Sequence, residues 1–168
     1  MDKCAVQRAV SLATSESVFR KTGRIFVPVA SSARHIHLCR ADVEALFGAG
    51  YQLKHFRNLS QPGQFACQEQ LTVVGPKGEL KKVRVLGPER KSTQVEIALT
   101  DSFALGIRPP VRMSGKTAGT LRSEGDRATV FENVVVRAGD GHDMEVHIDT
   151  DEANAIAMSG TTMMEVLK

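Results

Sequence analysis

Apolar and polar positions alternate along this chain in short runs, most of them closed by glycine, proline or a cluster of turn formers. The first segment departs from that rhythm. Over residues 2–20, Val6, Val10 and Ala13 recur at spacings of three and four, and Leu12 and Val18 partly extend the stripe, which predicts a short helix broken at Lys21-Thr22-Gly23. Residues 27–33 are small and apolar, as in a buried strand running on through Arg34-His35-Ile36-His37-Leu38. A helix follows over 39–47 and ends at Gly48 and Gly50. Residues 51–56 read as extended and 58–64 as a loop of turn formers. Residues 65–74 and 80–86 make a hairpin around a tight turn at 75–79, with Lys82 and Arg84 on the polar face of its second strand.

The second half continues in the same way. Residues 87–93 form a loop with two cations, and 94–99 a further strand. Thr100-Asp101-Ser102 caps a short turn closed by Gly106, and Pro109-Pro110 stops any helix. Residues 114–126 are polar and rich in Gly, Ser and Thr, an exposed loop or an ordered turn. Strands follow over 130–137, 144–148 and 161–167, with a turn at 138–141 and a helix with a capping-box start at 149–155. Short strands parted by turns at such intervals predict a mainly β fold, a small barrel with short helices, in place of a βαβ sheet.

Composition narrows the function classes. At 168 residues, 42% hydrophobic and 24% charged, the chain reads as a soluble globular protein of one domain or two small intimate ones. The net charge is +3, the basic residues are scattered, and there is one Tyr and no Trp, which argues against nucleic acid and suits an anionic small molecule. Cys4, Cys39 and Cys67 are odd in number and lack CxxC spacing, which argues for reduced thiols in a cytosolic setting. No apolar run approaches a membrane span, and the N-terminus lacks the apolar core of a secretory signal. The first helix is either a docking segment for a partner or a helix packed on its own domain.

Several side chains could carry chemistry. On a strand, His35 and His37 share a face about 6–7 Å apart along the backbone, which suits two ligands of one metal. The same spacing also serves two hydrogen-bonded or surface histidines. Glu96 interrupts the apolar run Val95-Glu96-Ile97-Ala98-Leu99, so it faces water or is held for a purpose. With the histidines it completes a His-His-Glu set with a fourth position open to water or substrate. Arg90 could grip phosphate beside such a metal, and Lys77 and Arg84 could meet the phosphates of a nucleotide-bearing ligand; each is also an ordinary surface cation. A lone His147 in Glu145-Val146-His147-Ile148-Asp149 reads as a core histidine unless the first cluster lies near it. His55 and His142 have no partner in the pattern. There is no GxSxG, no P-loop and no GxGxxG followed by an acidic residue, so hydrolase, NTPase and dinucleotide readings have no support.

Taken together, six stretches resemble one family. They are Val27-Pro28-Val29-Ala30-Ser31-Ser32-Ala33-Arg34-His35-Ile36-His37-Leu38, Leu59-Ser60-Gln61-Pro62-Gly63-Gln64-Phe65-Ala66, Gly75-Pro76-Lys77-Gly78, Val83-Arg84-Val85-Leu86-Gly87-Pro88-Glu89-Arg90, Thr93-Gln94-Val95-Glu96-Ile97, and Glu145 through Ala155. In this order they resemble the PduL-type phosphate propanoyltransferases (phosphotransacylases) of bacterial microcompartments. The resemblance implies paired small β-barrels with short capping helices, two zinc ions, and interconversion of acyl-CoA plus phosphate with acyl phosphate plus CoA, propanoyl-CoA being the substrate in the name. It assigns His35, His37 and Glu96 to the first zinc, His147 to the second, Arg90 to phosphate, and Ser31, Ser32, Ala33, Lys77, Arg84 and Asn154 to CoA. The first helix, within residues 1–22, then resembles an encapsulation peptide that docks to shell or core proteins of a microcompartment in the bacterial cytoplasm. Residues 25–112 would form a first barrel region and 113–168 a truncated second one.

The resemblance also marks a loss. Family members carry a second stretch, Arg-His-Ile-His-Met, which supplies two further ligands to the second zinc. This chain has one HxH only, and a short polar joint between Arg112 and Val130 stands where the family has an extended piece. Incomplete barrels are therefore expected, with a second zinc left to His147; nothing in the spacing of His142 or Glu145 recommends them as replacements. The alternative is a non-catalytic truncated relative that binds CoA or docks in a microcompartment. Strand edges left exposed would favour a homo-oligomer.

Overall fold

The computed structural model describes residues 3–110, 117–137, 144–160 and 162–167. In chain order its elements are α1 (Lys3–Thr22), β1 (Ile25–Ser31), β2 (His35–Cys39), α2 (Arg40–Phe47), β3 (His55–Asn58), β4 (Phe65–Val74), β5 (Glu79–Arg90), β6 (Gln94–Glu96), α3 (Leu99–Leu105), β7 (Thr117–Ser123), β8 (Val130–Val136), β9 (Val146–Ile148), α4 (Thr150–Ala155) and β10 (Met163–Leu167). They fall into two units, Ser32–Pro110 on one side and Met1–Ser31 with Val111–Lys168 on the other. None of the described helices is long and apolar enough to cross a membrane.

The unit of Ser32–Pro110 is built on a five-stranded sheet in the order β3-β4-β5-β2-β6. The β4/β5 hairpin closes where Gly75 N–H donates to the Gly78 carbonyl at 2.8 Å. The end of α3 sits against that turn so closely that a Cβ on Gly75 would lie 2.3 Å from the Leu105 carbonyl oxygen. β2 lies parallel to β5 and antiparallel to β6. Its Ile36 and Leu38 enter a core with Val43, Cys67, Leu80, Val83, Val85 and Leu105. Burying these apolar side chains is worth about 1.5–3 kcal/mol for each large one, and it fixes which face of β2 is left for chemistry.

The second sheet runs β8-β7-β10-β1-β9, with β1 antiparallel to β10 and parallel to β9. Val27, Val29, Leu121, Ile148, Ile156 and Met164 form its core. At one end the Glu165 carboxylate pairs with Arg24 at 2.7 Å and with Arg122, while Arg24 also reaches Glu124 at 2.7 Å. The guanidiniums, Arg24 first by hydrogen bonding, hold the Glu165 carboxyl down to about 2. Glu152 and Asp149 make the reciprocal cap of α4, each side chain accepting the other's backbone N–H at 2.9 and 2.8 Å. Among the described residues both sheets are open, so the fold is mainly β, with two incomplete barrels.

Four expectations need correction. β1 does not run on through the histidines: it ends at Ser31, and β2 begins at His35 in the other sheet. The extended pattern shows no break in the sequence, but β1 finds its ladder partners in β9 and β10 and β2 finds its own in β5 and β6. Ile25–Ser31 accordingly falls in the same compact unit as the C-terminal strands. Residues 87–90, expected as loop, continue β5 as far as Arg90. Gly87 makes this possible, since a Cβ there would lie 2.4 Å from Cζ of Phe65. Residues 117–123, expected as loop or turn, form β7, because hydrogen-bonded neighbours on both sides outweigh a polar composition. The strand at 94–99 stops at Glu96, and α3 starts at Leu99.

The other elements lie close to where the pattern puts them, though α1 is longer than a short capping helix at 20 residues. Among the described side chains of α1 only Ser15 is buried, its hydroxyl donating to the Phe26 carbonyl; Val10 and Ala13 are exposed. The Val6 and Leu12 side chains, the turn at 138–141 and His142 lie outside the described residues.

Gly87→Ala is expected to destabilise the chain by about 1–3 kcal/mol through this overpacking, read as a lower denaturation midpoint; an unchanged midpoint would show that Phe65 swings aside freely. A second test concerns pH. The Glu165 pKa is lower folded than its ordinary 4.5, so its contribution is full above that value and is lost as pH falls toward 2. Glu165→Gln should flatten the fall in melting temperature across that window; an identical slope in both proteins contradicts it.

Candidate metal centre

β2 carries the site because a strand sends alternate side chains to opposite faces. Ile36 and Leu38 point to the core, and His35 and His37 to the other side. Glu96 on β6 stands directly opposite His35 in the antiparallel ladder, and Gln94 opposite His37. The Nε2 atom of His35 lies 3.3 Å from Oε2 of Glu96, and that of His37 lies 3.9 Å from Oε1. One ligand atom from each of the three side chains lies within 4.8 Å of the others. The two rings meet edge to face, with centroids 5.0 Å apart. His37 is 2% exposed and the Glu96 side chain 52%, so the group is closed at the histidine end and open to solvent at the carboxylate.

The histidines are prepared differently. Nδ1 of His35 lies 2.8 Å from the Ala33 carbonyl and as an N–H donates there; in the protonated ring Nε2 donates to Glu96, and in the neutral ring that nitrogen keeps its lone pair for a metal. Burial is the largest influence on His35 and lowers its pKa, but the Glu96 hydrogen bond, the Ala33 carbonyl and the Glu96 charge together leave it raised. His37 is pushed down to about 4 by burial first, then by the Arg90 and His35 charges. Its Nδ1 is buried without a hydrogen bond of ordinary geometry, although the Leu86 backbone slightly favours its protonated form. The Glu96 carboxyl is lowered, chiefly by its hydrogen bond to His35. At neutral pH the group thus offers a neutral buried imidazole, an oriented imidazole and a carboxylate, a donor set that fits an open, catalytic type of metal site.

Arg90, at the end of β5, closes one side. Its Nη1 lies 3.6 Å from Glu96 Oε1 and donates to Gln94 Oε1 at 2.5 Å. Gln94 was not anticipated from the sequence; its place opposite His37 appears only once the β2/β6 register is known. Arg84 donates to the Cys67 and Gln68 carbonyls, each at 2.9 Å, and stacks on Phe56 at 5.1 Å. Lys77 packs its stem under Gly106. Ser32 and Ala33 form the connector before β2, in the same unit as the metal cluster. Ser31, Asn154 and His147 lie in the other unit, Asn154 exposed on α4. There His147 Nε2 lies 3.0 Å from Glu145 Oε2. Among the described residues, His35, His37 and Glu96 are the group of three metal-type ligands that comes together.

Comparison with known proteins now bears on this geometry. The phosphate propanoyltransferase family model matches residues 28–123 and 120–159. The chain is 37% identical to a phosphate propanoyltransferase of Clostridioides difficile over 91% of its own length and 94% of the relative's. It is 38% identical to one of Thermotoga maritima over 90% and 92%, and 40% to one of Priestia megaterium over 92% of both. The chain belongs to the phosphate propanoyltransferase family. It is thereby placed among phosphotransacylase enzymes. The alignment with the Clostridioides difficile phosphate propanoyltransferase runs over 197 positions, more than the 168 residues here, so that relative carries residues without a counterpart. The two matched pieces of the family model, 28–123 and 120–159, overlap at 120–123, within β7.

His35→Ala is expected to abolish binding of a divalent metal, measured by elemental analysis after dialysis; full retention would contradict the assignment. Because metal needs the neutral His35 ring and its pKa is raised, uptake should release protons and weaken as pH falls through and below neutrality.

Proposed function

We propose that this chain is a zinc-dependent phosphate acyltransferase, interconverting an acyl-CoA, propanoyl-CoA by its relatives' name, and inorganic phosphate with acyl phosphate and CoA. The observation that carries the reading is the placement of Arg90. Glu96 Oε1 lies 3.9 Å from His37 Nε2 and 3.6 Å from the Arg90 guanidinium, so a cation stands at the edge of the three-ligand group. His35, His37 and Glu96 would hold the zinc. When bound, zinc supplies Lewis acidity toward a thioester and affinity for a leaving thiolate.

The residues of the chain do the positioning. The contacts described for Arg90 all fall on Nη1, which leaves Nη2 and Nε to bind phosphate through paired hydrogen bonds. A phosphate oxygen held there attacks the acyl carbon; the new C–O bond replaces the C–S bond, and the electron pair leaves on the CoA sulfur. Ser31, Ser32, Ala33, Lys77, Arg84 and Asn154 are assigned to CoA. Arg84 suits such a role because two carbonyls and Phe56 hold its guanidinium in place. α1 is assigned to docking with a shell or core protein of a microcompartment, supported by the exposure of Val10 and Phe19.

One observation favours a second reading, a non-catalytic relative. An alignment with one relative runs over 197 positions against the 168 residues here, and His147 is paired with Glu145; by the resemblance, the unmatched piece would hold a second HxH. Purified, metal-quantified protein decides between the two. The acyltransferase reading expects about one zinc per chain and CoA release from propanoyl-CoA that depends on phosphate; absence of release with zinc bound selects the second. Arg90→Ala should raise the phosphate KM by about 10–100-fold, the loss of one or two charge-assisted hydrogen bonds. An unchanged phosphate dependence would remove Arg90 from its role.

A further inference from the structure

Asp101, in the first turn of α3, is only 5% exposed. A carboxylate buried to that degree is costly unless it is paired. Its two oxygens serve two different segments. Oδ2 accepts from Ala98 N–H at 3.2 Å, and Oδ1 pairs with Arg34 Nη2 at 2.9 Å. The first contact is an ordinary helix start, for which a neutral side chain suffices. The second has no part in the helix. Arg34 is the residue between Ala33, whose carbonyl orients His35, and His35 itself. Ala98 is two residues beyond Glu96. The strand that bears Glu96 is three residues long, exposed throughout, and paired only with β2 at the edge of its sheet. Side-chain packing therefore does little to fix where Glu96 stands.

We propose that Asp101 is a positioning residue that ties together the two ligand-bearing strand ends, through Arg34 before His35 and through Ala98 after Glu96. It sets the spacing at which these side chains meet a metal. The proposal rests on the metal reading above.

Cobalt(II) is the probe, with affinity read by competition against a chelator and ligand geometry by the visible absorption band. Asp101→Asn keeps an acceptor for Ala98 N–H and gives up the charge that holds Arg34. Arg34→Gln removes the other partner from a half-exposed side chain and leaves the core untouched. Each is expected to weaken cobalt binding about 10–100-fold, as loss of an orienting partner does. The double variant should be no weaker than either single one, because both break the same link. The metal-free melting temperature of Arg34→Gln should stay near that of the parent. Parent affinity in Arg34→Gln, or losses that add in the double variant, would overturn the proposal. If Asp101→Asn fails to fold, Arg34→Gln decides alone. A parent chain that binds no cobalt would overturn the metal reading and this proposal with it, a result distinct from parent binding with unchanged variants.

Discussion

His35 stands opposite Glu96 in the ladder between β2 and β6, and His37 stands opposite Gln94. Directly opposed residues of an antiparallel pair share a face, so this register puts two imidazoles, a carboxylate and an amide on one side of the sheet. The same register sends Ile36 and Leu38 into the core. A slip by one residue would bury the histidines where Ile36 and Leu38 now pack and turn Glu96 away from them. Core burial and ligand geometry are thus one constraint. The hydrophobic term, much larger than any single polar contact in the site, enforces it.

Within that frame the polar groups are balanced against each other. Burial works against a charged His37, and Arg90 adds to the effect, so this ring stays neutral well below neutral pH. Glu96 works the other way on His35, whose proton it holds. Arg90 itself leans on Glu96 and is tethered by Gln94. A bound cation would take over the role of the His35 proton, satisfying the same carboxylate with a larger charge. The three ligand types of the cluster already stand within 4.8 Å of one another. The cost of assembling it has been met in folding, by the ladder and by the contacts at either end of it.

Much of this was legible from residues alone. The β4/β5 hairpin, α2 with its glycine stop, and the reciprocal cap of α4 follow from local pattern and turn chemistry. A metal set of His35, His37 and Glu96 was readable as one of two uses of those residues, the other being surface or hydrogen-bonded side chains, and the register that brings the three together was not readable. What failed had non-local causes. Residues 27–38 read as one extended stretch, and only the ladder partners, C-terminal for β1 and in mid-chain for β2, reveal the break at Ser32. β7 is polar by composition and is held by its neighbours. Gly87-Pro88 signals a loop unless Phe65 is known to lie over the glycine. The link from Asp101 to Arg34 leaves no periodic trace at all, because the two residues lie on separate segments and meet only in the folded unit.

The missing family segment can be placed in the same terms. The ligands His35, His37 and Glu96, the cation Arg90 and the carboxylate Asp101 all belong to the unit Ser32–Pro110. The strands that carry them pair with one another and with β3 and β4, and with none of β1 or β7 to β10. The interruption of the family match falls in β7, in the other sheet. Among the described residues, the ladder partners of β2, β5 and β6 and the side chains that touch the cluster all lie outside that sheet. That sheet belongs to the unit that also holds His147, which has a carboxylate neighbour in Glu145. Under the proposed acyl transfer, the group on β2 and β6 would carry the chemistry, with Arg90 proposed as its phosphate-binding cation.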